Sequence, residues 1–571
     1  MKVYFHKNGA WNWTPTRLPQ EENLLALSFN NWDDYGVSTT LNAVLYHEKK
    51  PILEFSLKLL IDGDKYSPKK LNELREQGWD GFFPILNTNY VSVPSDIEFY
   101  DALISKLGTK EAISVLLTIR DAGYLTNVIK DEKALTLVSN ADFSTSPLRE
   151  AGARKAYADG WKAFSGEEAV INIQDFTLYT PRRDLEGVDE IRFRFNSNTL
   201  PYDINVLIGP NGIGKSHTLK KLVDYWVGMD AGSQTTLQKT KHKPFDVSPN
   251  ISRLVLISYS PFEDFALDLS KTKLKDKTAY KYFGFRKSTV SPSGKRRVGI
   301  SRNLPATDSV DSILKAYEDD SAFDYLSGWT SKSSTIWEVL QPALGFDKIA
   351  LKLNSDNEIP SSYKKYLFDY GDNKYFELSR DSFDKLKKLI GTTPNVIAPT
   401  EGVVFLKNNR QINLSSGQRL FVYMVINIVG QIKSESLVVV DEPELFLHPT
   451  FEIEFIALLK KVLAAFSSKA ILATHSLAIA REIPANCMHV YRYGEVGIEI
   501  DHPPFETFGG DMQRISSYVF ADNRSTKPYA QWIAKKIKET ENPKDLLKQL
   551  KGELNEELTI KILNSGPSHG C

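Results

Sequence analysis

Cysteine is scarce in this sequence, and its charges cancel. Cys487 and Cys571 are the two cysteines among 571 residues, too few for a disulfide framework or a cysteine-rich zinc site. Their scarcity fits a reducing, cytoplasmic compartment. The 71 basic and 71 acidic side chains balance, so any contact with nucleic acid has to come from a local basic patch.

Two kinds of long segment are missing as well. No apolar run approaches the length that spans a bilayer, and residues 1–6 do not resemble a signal peptide. We therefore expect no membrane partner. Residues 310–400 look mostly helical but contain no run of heptads, which excludes long coiled-coil arms.

A glycine-rich segment lies between a strand-like and a helix-like run. Residues 204–208 are extended and apolar, and residues 217–227 have apolar side chains at helical spacing. The segment between them fits the phosphate-loop pattern G-x-x-x-x-G-K-[S/T]. Its residues, with the one that follows, are Gly209, Pro210, Asn211, Gly212, Ile213, Gly214, Lys215, Ser216 and His217.

This pattern predicts binding of ATP and Mg²⁺. Loop amides and the N-terminus of the following helix would surround a polyphosphate. Lys215 would reach the β- and γ-phosphates, and Ser216 would bind Mg²⁺.

Three further motifs follow in chain order. Residues 414–418 read LSSGQ, residues 437–442 are a buried strand-like run that ends in two acids, and residues 472–476 end another apolar run with a histidine. We expect Asp441 to hold Mg²⁺ through water and Glu442 to polarise the attacking water. Taken alone, LSSGQ would be a helix cap and His475 a loop histidine, but four motifs in this order favour a nucleotide site.

The four motifs resemble those of the ATP-binding-cassette (ABC) ATPases. In that family the signature motif binds the nucleotide of the opposite subunit, and the histidine is the γ-phosphate switch. The resemblance implies that His475 acts with Glu442 and Lys215 in catalysis. It also implies a homodimer, or a higher oligomer built from it, that holds two ATP–Mg²⁺ between its subunits. The residues that would contact the partner's ATP are Ser415, Ser416, Gly417 and Gln418.

One departure from that family lies after residues 254–259. The Q-loop of cassette ATPases should follow this strand, but residues 260–264 contain no glutamine. The contact that this glutamine makes with the γ-phosphate and Mg²⁺ must come from elsewhere or be missing, so we expect hydrolysis to be slow. An aromatic near Tyr179 could stack on adenine, as in cassette ATPases, or simply pack in a sheet.

The predicted fold is α/β, with an ABC-type P-loop ATPase head, an N-terminal α+β domain and an inserted, mostly helical lobe. We place the N-terminal domain at 1–165, the head at 166–525 with its insertion at 262–400, and a helical tail at 526–571. The N-terminal domain should serve docking or scaffolding. The alternative is nucleic-acid contact through its basic helix, residues 149–164.

A basic stretch runs from Lys271 to Arg302, with one acid, Asp276, among its cations. This composition suits phosphate contacts and base stacking by single-stranded nucleic acid. An acidic protein partner and a solvated loop are the alternatives. The interleaved aromatic residues that would stack are Tyr280, Tyr282, Phe283 and Phe285.

The segment D-E-P-E-L-F-L-H-P, residues 441–449, resembles the RecF, OLD and AAA-type defence ATPases. Together with the N-terminal domain and the short insertion, it resembles the PtuA-type ATPases of Septu and retron-linked antiphage systems. In that family the ATPase pairs with PtuB, an HNH nuclease, and does not itself cut strands. The resemblance implies an HNH nuclease partner, and the retron link adds a reverse transcriptase–nucleic acid complex.

The implied function is an ATP-binding, slowly hydrolysing sensor and scaffold that controls the separate nuclease. A RecF-like DNA-repair ATPase without a nuclease partner is the main alternative. A transporter's ATP-binding subunit is a third, disfavoured by the large N-terminal domain and by the L-H-P form at residues 447–449.

Overall fold

The computed structural model describes most of the chain. The described residues are 1–6, 18–34, 36–164, 173–182, 187–228, 236–267, 279–290, 296–323, 330–354, 359–393, 395–495, 497–520, 528–540, 543–550, 552–554 and 556–563. They form two compact units, Met1–Gly509 and Gly510–Cys571.

A five-stranded sheet opens the first unit. Its strands lie in chain order, the first two parallel and the others antiparallel. They are β1 (Lys2–His6), β2 (Leu24–Phe29), β3 (Thr40–His47), β4 (Lys50–Ile61) and β5 (Tyr90–Pro94).

Helices cover this sheet and complete its core. Phe99, Leu103 and Leu116 of the longest helix are buried with Phe5 and Leu57 of the strands. The helices are α1 (Ser67–Glu76), α2 (Glu98–Ile119), α3 (Ala122–Tyr124), α4 (Glu132–Val138), α5 (Ala141–Thr145) and α6 (Ala151–Asp159), with a π-helical turn at Leu125–Ile129 and a 3₁₀ turn at Gly160–Phe164.

The head is built around a seven-stranded sheet of order β10-β9-β18-β19-β8-β20-β21. Neighbouring strands are parallel except the last pair. The apolar runs of its central strands are buried throughout, as expected for parallel strands covered on both faces. These strands are β8 (Ile204–Ile208), β9 (Leu254–Ser258), β10 (Tyr280–Gly284), β18 (Leu437–Asp441), β19 (Lys469–Thr474), β20 (Met488–Tyr493) and β21 (Ile498–Asp501).

Further elements of the head flank this sheet. The strands β6 (Phe176–Pro181) and β7 (Val188–Phe193) form an antiparallel hairpin. The helices are α7 (Lys215–Trp226), α11 (Ser416–Gln431), α12 (Pro449–Ala465) and α13 (Leu477–Ala480), with 3₁₀ turns at Pro443–Phe446 and Ala485–Cys487.

The insertion has the predicted helices and, in addition, antiparallel sheets. A hairpin, β11 (Arg286–Val290) and β12 (Arg296–Ile300), precedes α8 (Leu304–Phe323) and α9 (Lys332–Leu344). A five-stranded sheet of order β14-β15-β13-β16-β17 follows. Its strands are β13 (Lys348–Lys352), β14 (Leu367–Tyr370), β15 (Asn373–Leu378), β16 (Val403–Lys407) and β17 (Arg410–Gln411), with α10 (Arg380–Thr392) and 3₁₀ turns at Ser361–Tyr366 and Pro399–Glu401.

The second compact unit is helical. Ile533, Leu546 and Ile562 form its small buried core. Its helices are α14 (Met512–Phe520), α15 (Pro528–Glu539), α16 (Pro543–Gln549) and α17 (Glu556–Leu563). Within the described ranges, no helix has the length and apolar character needed to cross a membrane.

Buried ion pairs join the N-terminal sheet domain to the head. Lys433, between α11 and β18, contacts Asp96 and also lies 3.5 Å from Glu98. Lys155 of α6 contacts Glu435 and lies 2.6 Å from Asp159. These contacts hold the domain at the end of the sheet where β9 and β18 begin.

Ion pairs also account for cations of the basic helix that was predicted at residues 149–164. Lys155 is buried against its acidic partners, Lys162 lies 2.5 Å from Asp159, and Arg149 lies 2.5 Å from Asp34. A nucleic-acid surface needs cations that are exposed and free to meet phosphates. The prediction of nucleic-acid contact is therefore wrong for the buried Lys155, and it stays a prediction for Arg154 of the same helix, which is exposed.

Candidate nucleotide-binding site

The predicted motifs meet at one edge of the central sheet. Asp441 at the end of β18 is in register with Ser258 of β9 and Ala473 of β19, and Thr474 is in register with Ile208 of β8. The carboxyl ends of four neighbouring parallel strands therefore lie side by side. Ligands of open α/β sheets bind at this edge.

The phosphate loop connects β8 to α7. Gly212 and Gly214 have φ of 76° and 113°, a left-handed region that residues with a Cβ rarely adopt. A Cβ on Gly209 would lie 2.5 Å from the carbonyl oxygen of Tyr491 on the neighbouring strand. The three glycines thus let the backbone turn tightly before α7 begins at Lys215, where its free amides can bind an anion.

Hydrogen bonds hold the side chain of Lys215 in place. The Lys215 ammonium donates to the carbonyl oxygens of Gly209 (2.9 Å) and Pro210 (3.0 Å). Burial lowers the pKa of Lys215, and the carboxylates of Glu442, Glu444 and Asp441 oppose this shift. The ammonium is therefore the positive centre of an acidic site.

Ser216 links the loop to β18. Its hydroxyl donates to Oδ1 of Asp441 over 2.8 Å. Burial raises the pKa of Asp441 to about 7, and the nearby Glu442 and Glu263 carboxylates act in the same direction. A hydroxyl and a carboxylate are hard oxygen donors of the kind that Mg²⁺ prefers, so the residues present fit this cation.

Glu442 makes the turn that follows β18. Its φ of 51° and ψ of 59° are left-handed, a conformation rare for a residue with a side chain and often found at functional sites. Its amide donates to the carbonyl of Ala473 over 2.8 Å. The neighbouring strand thus fixes the backbone of the predicted general base.

Glu444 has a role that the sequence analysis missed. It is buried, and its Oε1 accepts the backbone N–H of His475 over 2.7 Å and lies 3.1 Å from that residue's Nδ1. Burial raises the pKa of Glu444, whereas the His475 N–H opposes this shift. The third acid of the D-E-P-E segment was the available signal, and it orients the predicted switch histidine.

Glu263 is the second residue that the sequence analysis missed. It lies in the segment where a Q-loop glutamine was expected. Its Oε2 accepts from Arg286 over 2.5 Å, and the Tyr282 hydroxyl donates to its other oxygen. Glu263 contributes to the raised pKa of Asp441. A carboxylate therefore lies near Ser216 and Asp441, the residues predicted to bind Mg²⁺.

An open cleft of about 530 Å³ adjoins the phosphate loop on the side of His217. Asp441, Glu442 and Glu444 do not line it. Tyr179 does not line it either; its ring packs against His242 with centroids 5.1 Å apart, as the sheet-packing alternative predicted. The lining residues are Thr180, Pro181, Arg182, Asp189, Ile213, Gly214, His217, Thr218, Tyr491, Ile498 and Ile500.

The signature-type motif stands apart from this cluster. Ser415 caps α11 by accepting the Gln418 N–H over 3.3 Å, and the Gln418 side chain accepts the Ser415 N–H over 2.9 Å. Ser415 and Ser416 are exposed. No hydrogen bond joins residues 414–418 to residues 209–216, all of which the structure describes.

The basic stretch divides into two parts. Residues 268–278 and 291–295 lie outside the described residues, and Lys287, Arg297 and Arg302 are exposed cations. Tyr280 and Phe283 are buried in edge strand β10 of the central sheet, so the prediction that they stack on bases is wrong. Tyr282 and Phe285 are partly exposed, and nucleic-acid contact through them and through the cations stays a prediction.

Three comparisons place the chain among known proteins. Residues 204–481 match a family described as "AAA domain, putative AbiEii toxin, Type IV TA system". The chain is 22% identical to Protein ea59 of Escherichia phage lambda over 549 residues, which cover 94% of both chains. Among solved structures, the SMC head domain from Thermotoga maritima has 12% identity and a TM-score of 0.24, covering 59% of this chain and 100% of that one.

UvrA2 from Deinococcus radiodurans is also similar, with 12% identity and a TM-score of 0.23 over 59% of this chain and 38% of that one. The family match covers the strands that carry the phosphate loop, the paired acids and the histidine. With the motif order and the parallel sheet, it supports the predicted fold, an α/β P-loop ATPase head of the ABC type.

Proposed function

We propose that the protein binds ATP–Mg²⁺ and closes as a homodimer around two nucleotides. One observation carries this proposal. Lys215, Ser216, Asp441, Glu442 and His475 meet at one sheet edge, whereas the signature-type residues are exposed and make no hydrogen bond to the phosphate loop of their own chain. A second copy would bring its signature motif to this site.

The reaction assigns a task to each residue. Lys215 would bind the β- and γ-phosphates. Ser216, and Asp441 through water, would hold Mg²⁺, which would supply positive charge to the phosphates. Glu442 accepts a proton from the attacking water. His475, oriented by Glu444, lies at the γ-phosphate, and Glu263 takes the place of the Q-loop glutamine. Because a carboxylate there repels phosphate, we expect slow turnover.

The test is the association state of a Glu442→Gln variant, measured by sedimentation velocity with and without ATP–Mg²⁺. We expect this variant to bind ATP, fail to hydrolyse it and accumulate as a dimer. A mass that does not change with ATP would contradict the closing homodimer.

In the cell we propose that the ATPase controls a separate HNH nuclease in antiphage defence. The resemblance of residues 441–449 to PtuA-type ATPases supports this role. The matched family is described as a putative toxin, and the relative aligned over 94% of this chain comes from a phage. Both observations fit a function in conflict between phage and host. The reverse transcriptase–nucleic acid complex is a further proposed partner.

Co-purification tests this role. The chain is expressed with its neighbouring open reading frames and purified through a tag on this protein. We expect an HNH protein whose nuclease activity depends on ATP. A lone dimer whose ATPase is stimulated by DNA would instead support the RecF-like repair function, which the exposed cations of the β11–β12 hairpin favour.

A further inference from the structure

The ATP edge of the sheet presents an unusually exposed aromatic side chain. Phe262 is 93% exposed, the highest value among the large hydrophobic side chains that the structure describes. Its neighbours are held inward. Tyr259 and Phe265 are buried, and the Glu263 side chain is 2% exposed and bound by Arg286. The segment is therefore anchored on both sides of Phe262, which is left pointing to solvent.

A second apolar side chain occupies the equivalent place on the next strand. Ser258 and Asp441 are paired in the register of β9 and β18. Phe262 follows Ser258 by four residues, and Leu445 follows Asp441 by four. Leu445 is 41% exposed although the preceding Glu444 is buried. The segments that follow two neighbouring strands, one of them the 3₁₀ turn Pro443–Phe446, thus each leave an apolar side chain exposed.

The charges around this pair indicate its partner. The Asp264 side chain is 84% exposed, and Glu442 and Glu263 lie at the same edge. Arg286, the cation beside this segment, is paired with Glu263 and lies 3.7 Å from Asp264, so it is not available to a nucleic-acid phosphate, which disfavours base stacking on Phe262. Exposed aromatics surrounded by polar groups are typical anchors of protein interfaces.

We propose that Phe262 and Leu445 form an apolar anchor for a second copy of this chain. The inference rests on the proposed function, because closure of the dimer brings the second copy's exposed Ser415 and Ser416 to this same edge. A symmetric dimer uses each contact twice. The anchor thus stabilises the closed dimer without touching the nucleotide.

The experiment uses the full chain in the Glu442→Gln background, with ATP–Mg²⁺. Dimer dissociation constants are measured by sedimentation velocity for the parent and for Phe262→Ser. We expect the constant to rise by about tenfold for each copy of the anchor, and so by about 100-fold in all. Phe262→Leu, which retains most of the apolar surface, should recover most of the association.

Leu86→Ser is the matched control, since Leu86 is 81% exposed but lies in the N-terminal domain. It should leave the dissociation constant unchanged. Binding of a fluorescent ATP analogue at protein concentrations below dimerisation should be equal in all variants, which separates loss of the anchor from loss of the site.

Two results overturn different claims. If the parent does not associate with ATP, the proposed function fails. If the parent associates and Phe262→Ser associates equally well, the anchor fails while the homodimer stands. Equal weakening by Phe262→Ser and Leu86→Ser would also overturn the anchor, because it would point to a general effect of surface apolar groups.

Discussion

The two ends of the central sheet contain charges arranged in opposite ways. At the end where β9 and β18 begin, the buried Lys155 and the partly exposed Lys433 each lie beside acids. At the carboxyl end, Asp441, Glu442 and Glu444 outnumber Lys215. In the first cluster each charge has an opposite charge beside it, and the cluster holds two domains together. The second cluster has an excess of negative charge and is stabilised by binding a cation. We therefore assign docking to the first cluster and the proposed chemistry to the second.

The pKa directions support this contrast. Burial works against Asp96, but the Lys433 ammonium lowers the pKa of that carboxyl below its usual value. Burial raises the pKa of Asp441 to about 7. The two acids therefore shift in opposite directions, because Asp96 is partly exposed and paired with a cation, whereas Asp441 is buried and bonded to a neutral hydroxyl.

The largest expected effect comes from removing charge at the unbalanced end. Asp441→Asn keeps an acceptor for the Ser216 hydroxyl but removes a carboxylate from the proposed Mg²⁺ site. We expect kcat for ATP hydrolysis to fall by at least about 100-fold, measured by phosphate release. The nucleotide-free variant should unfold at the same or a higher temperature. A variant that unfolds earlier would mean that this charge stabilises the fold.

Removing charge at the balanced end should instead damage stability. Lys433→Met removes the cation beside Asp96 and Glu98, whose side chains are 27% and 16% exposed. Such a loss costs about 3–5 kcal/mol in fully buried pairs and less in this partly exposed one. We expect earlier unfolding, or release of the N-terminal domain to limited proteolysis, with a native ATP site in the remaining head.

Lys535→Met is the control, because Lys535 forms an exposed pair with Glu539, for which about 0–1 kcal/mol is typical. If Lys433→Met and Lys535→Met lowered the unfolding temperature equally, the pair at the domain boundary would be no more important for stability than an ordinary surface pair.

A smaller effect is expected from Glu444. Glu444→Gln keeps an acceptor for the His475 N–H but removes the charge that lies 3.1 Å from its Nδ1. We expect kcat to fall by about tenfold, with KM for ATP little changed, since the residue positions another residue and does not touch the substrate. A steady-state ATPase assay gives both constants. A rise in KM alone would place Glu444 in nucleotide binding.

The smallest expected effect is a pH dependence of stability that comes from Asp121 of the N-terminal domain, away from both ends of the central sheet. Asp121 is buried and accepts from the Tyr100 hydroxyl and the Tyr124 N–H, both at 2.8 Å. Burial raises its pKa to about 6. The folded state then binds the proton more tightly, so this contribution to stability is present below about pH 4 and is lost as pH rises through about 6.

Thermal unfolding at pH 5 and pH 7 should therefore show a larger loss in the wild type than in Asp121→Asn, by about 2 °C. An identical difference in the two proteins would show that burial without a cation does not shift this carboxyl.

Sequence reasoning succeeded where local pattern determines structure. Gly209–Ser216 lies between a fully buried strand and an amphipathic helix, and both neighbours were predicted from spacing alone. The catalytic roles of the clustered residues stay predictions.

It missed what depends on contacts distant in the chain. Glu444 lies 31 residues before His475, and its role appears only when β18 and β19 become neighbours. The aromatics of β10 alternate with cations as an exposed segment would, but an edge strand of a buried sheet turns Tyr280 and Phe283 into the core. Short strands such as β14 and β17 gave no periodic signal.

The docking of the N-terminal domain has a mechanical consequence. Lys433 and Glu435, which this domain grips, lie in the short connection between α11, which begins with the signature-type motif, and β18, which ends at Asp441. Any rotation of that helix relative to the strand must pivot on this connection. The N-terminal domain thus holds the point about which α11 and β18 would rotate relative to each other; α11 carries the signature-type motif, and β18 carries Asp441. A partner that displaced the domain would act on both motifs without contacting the phosphate loop.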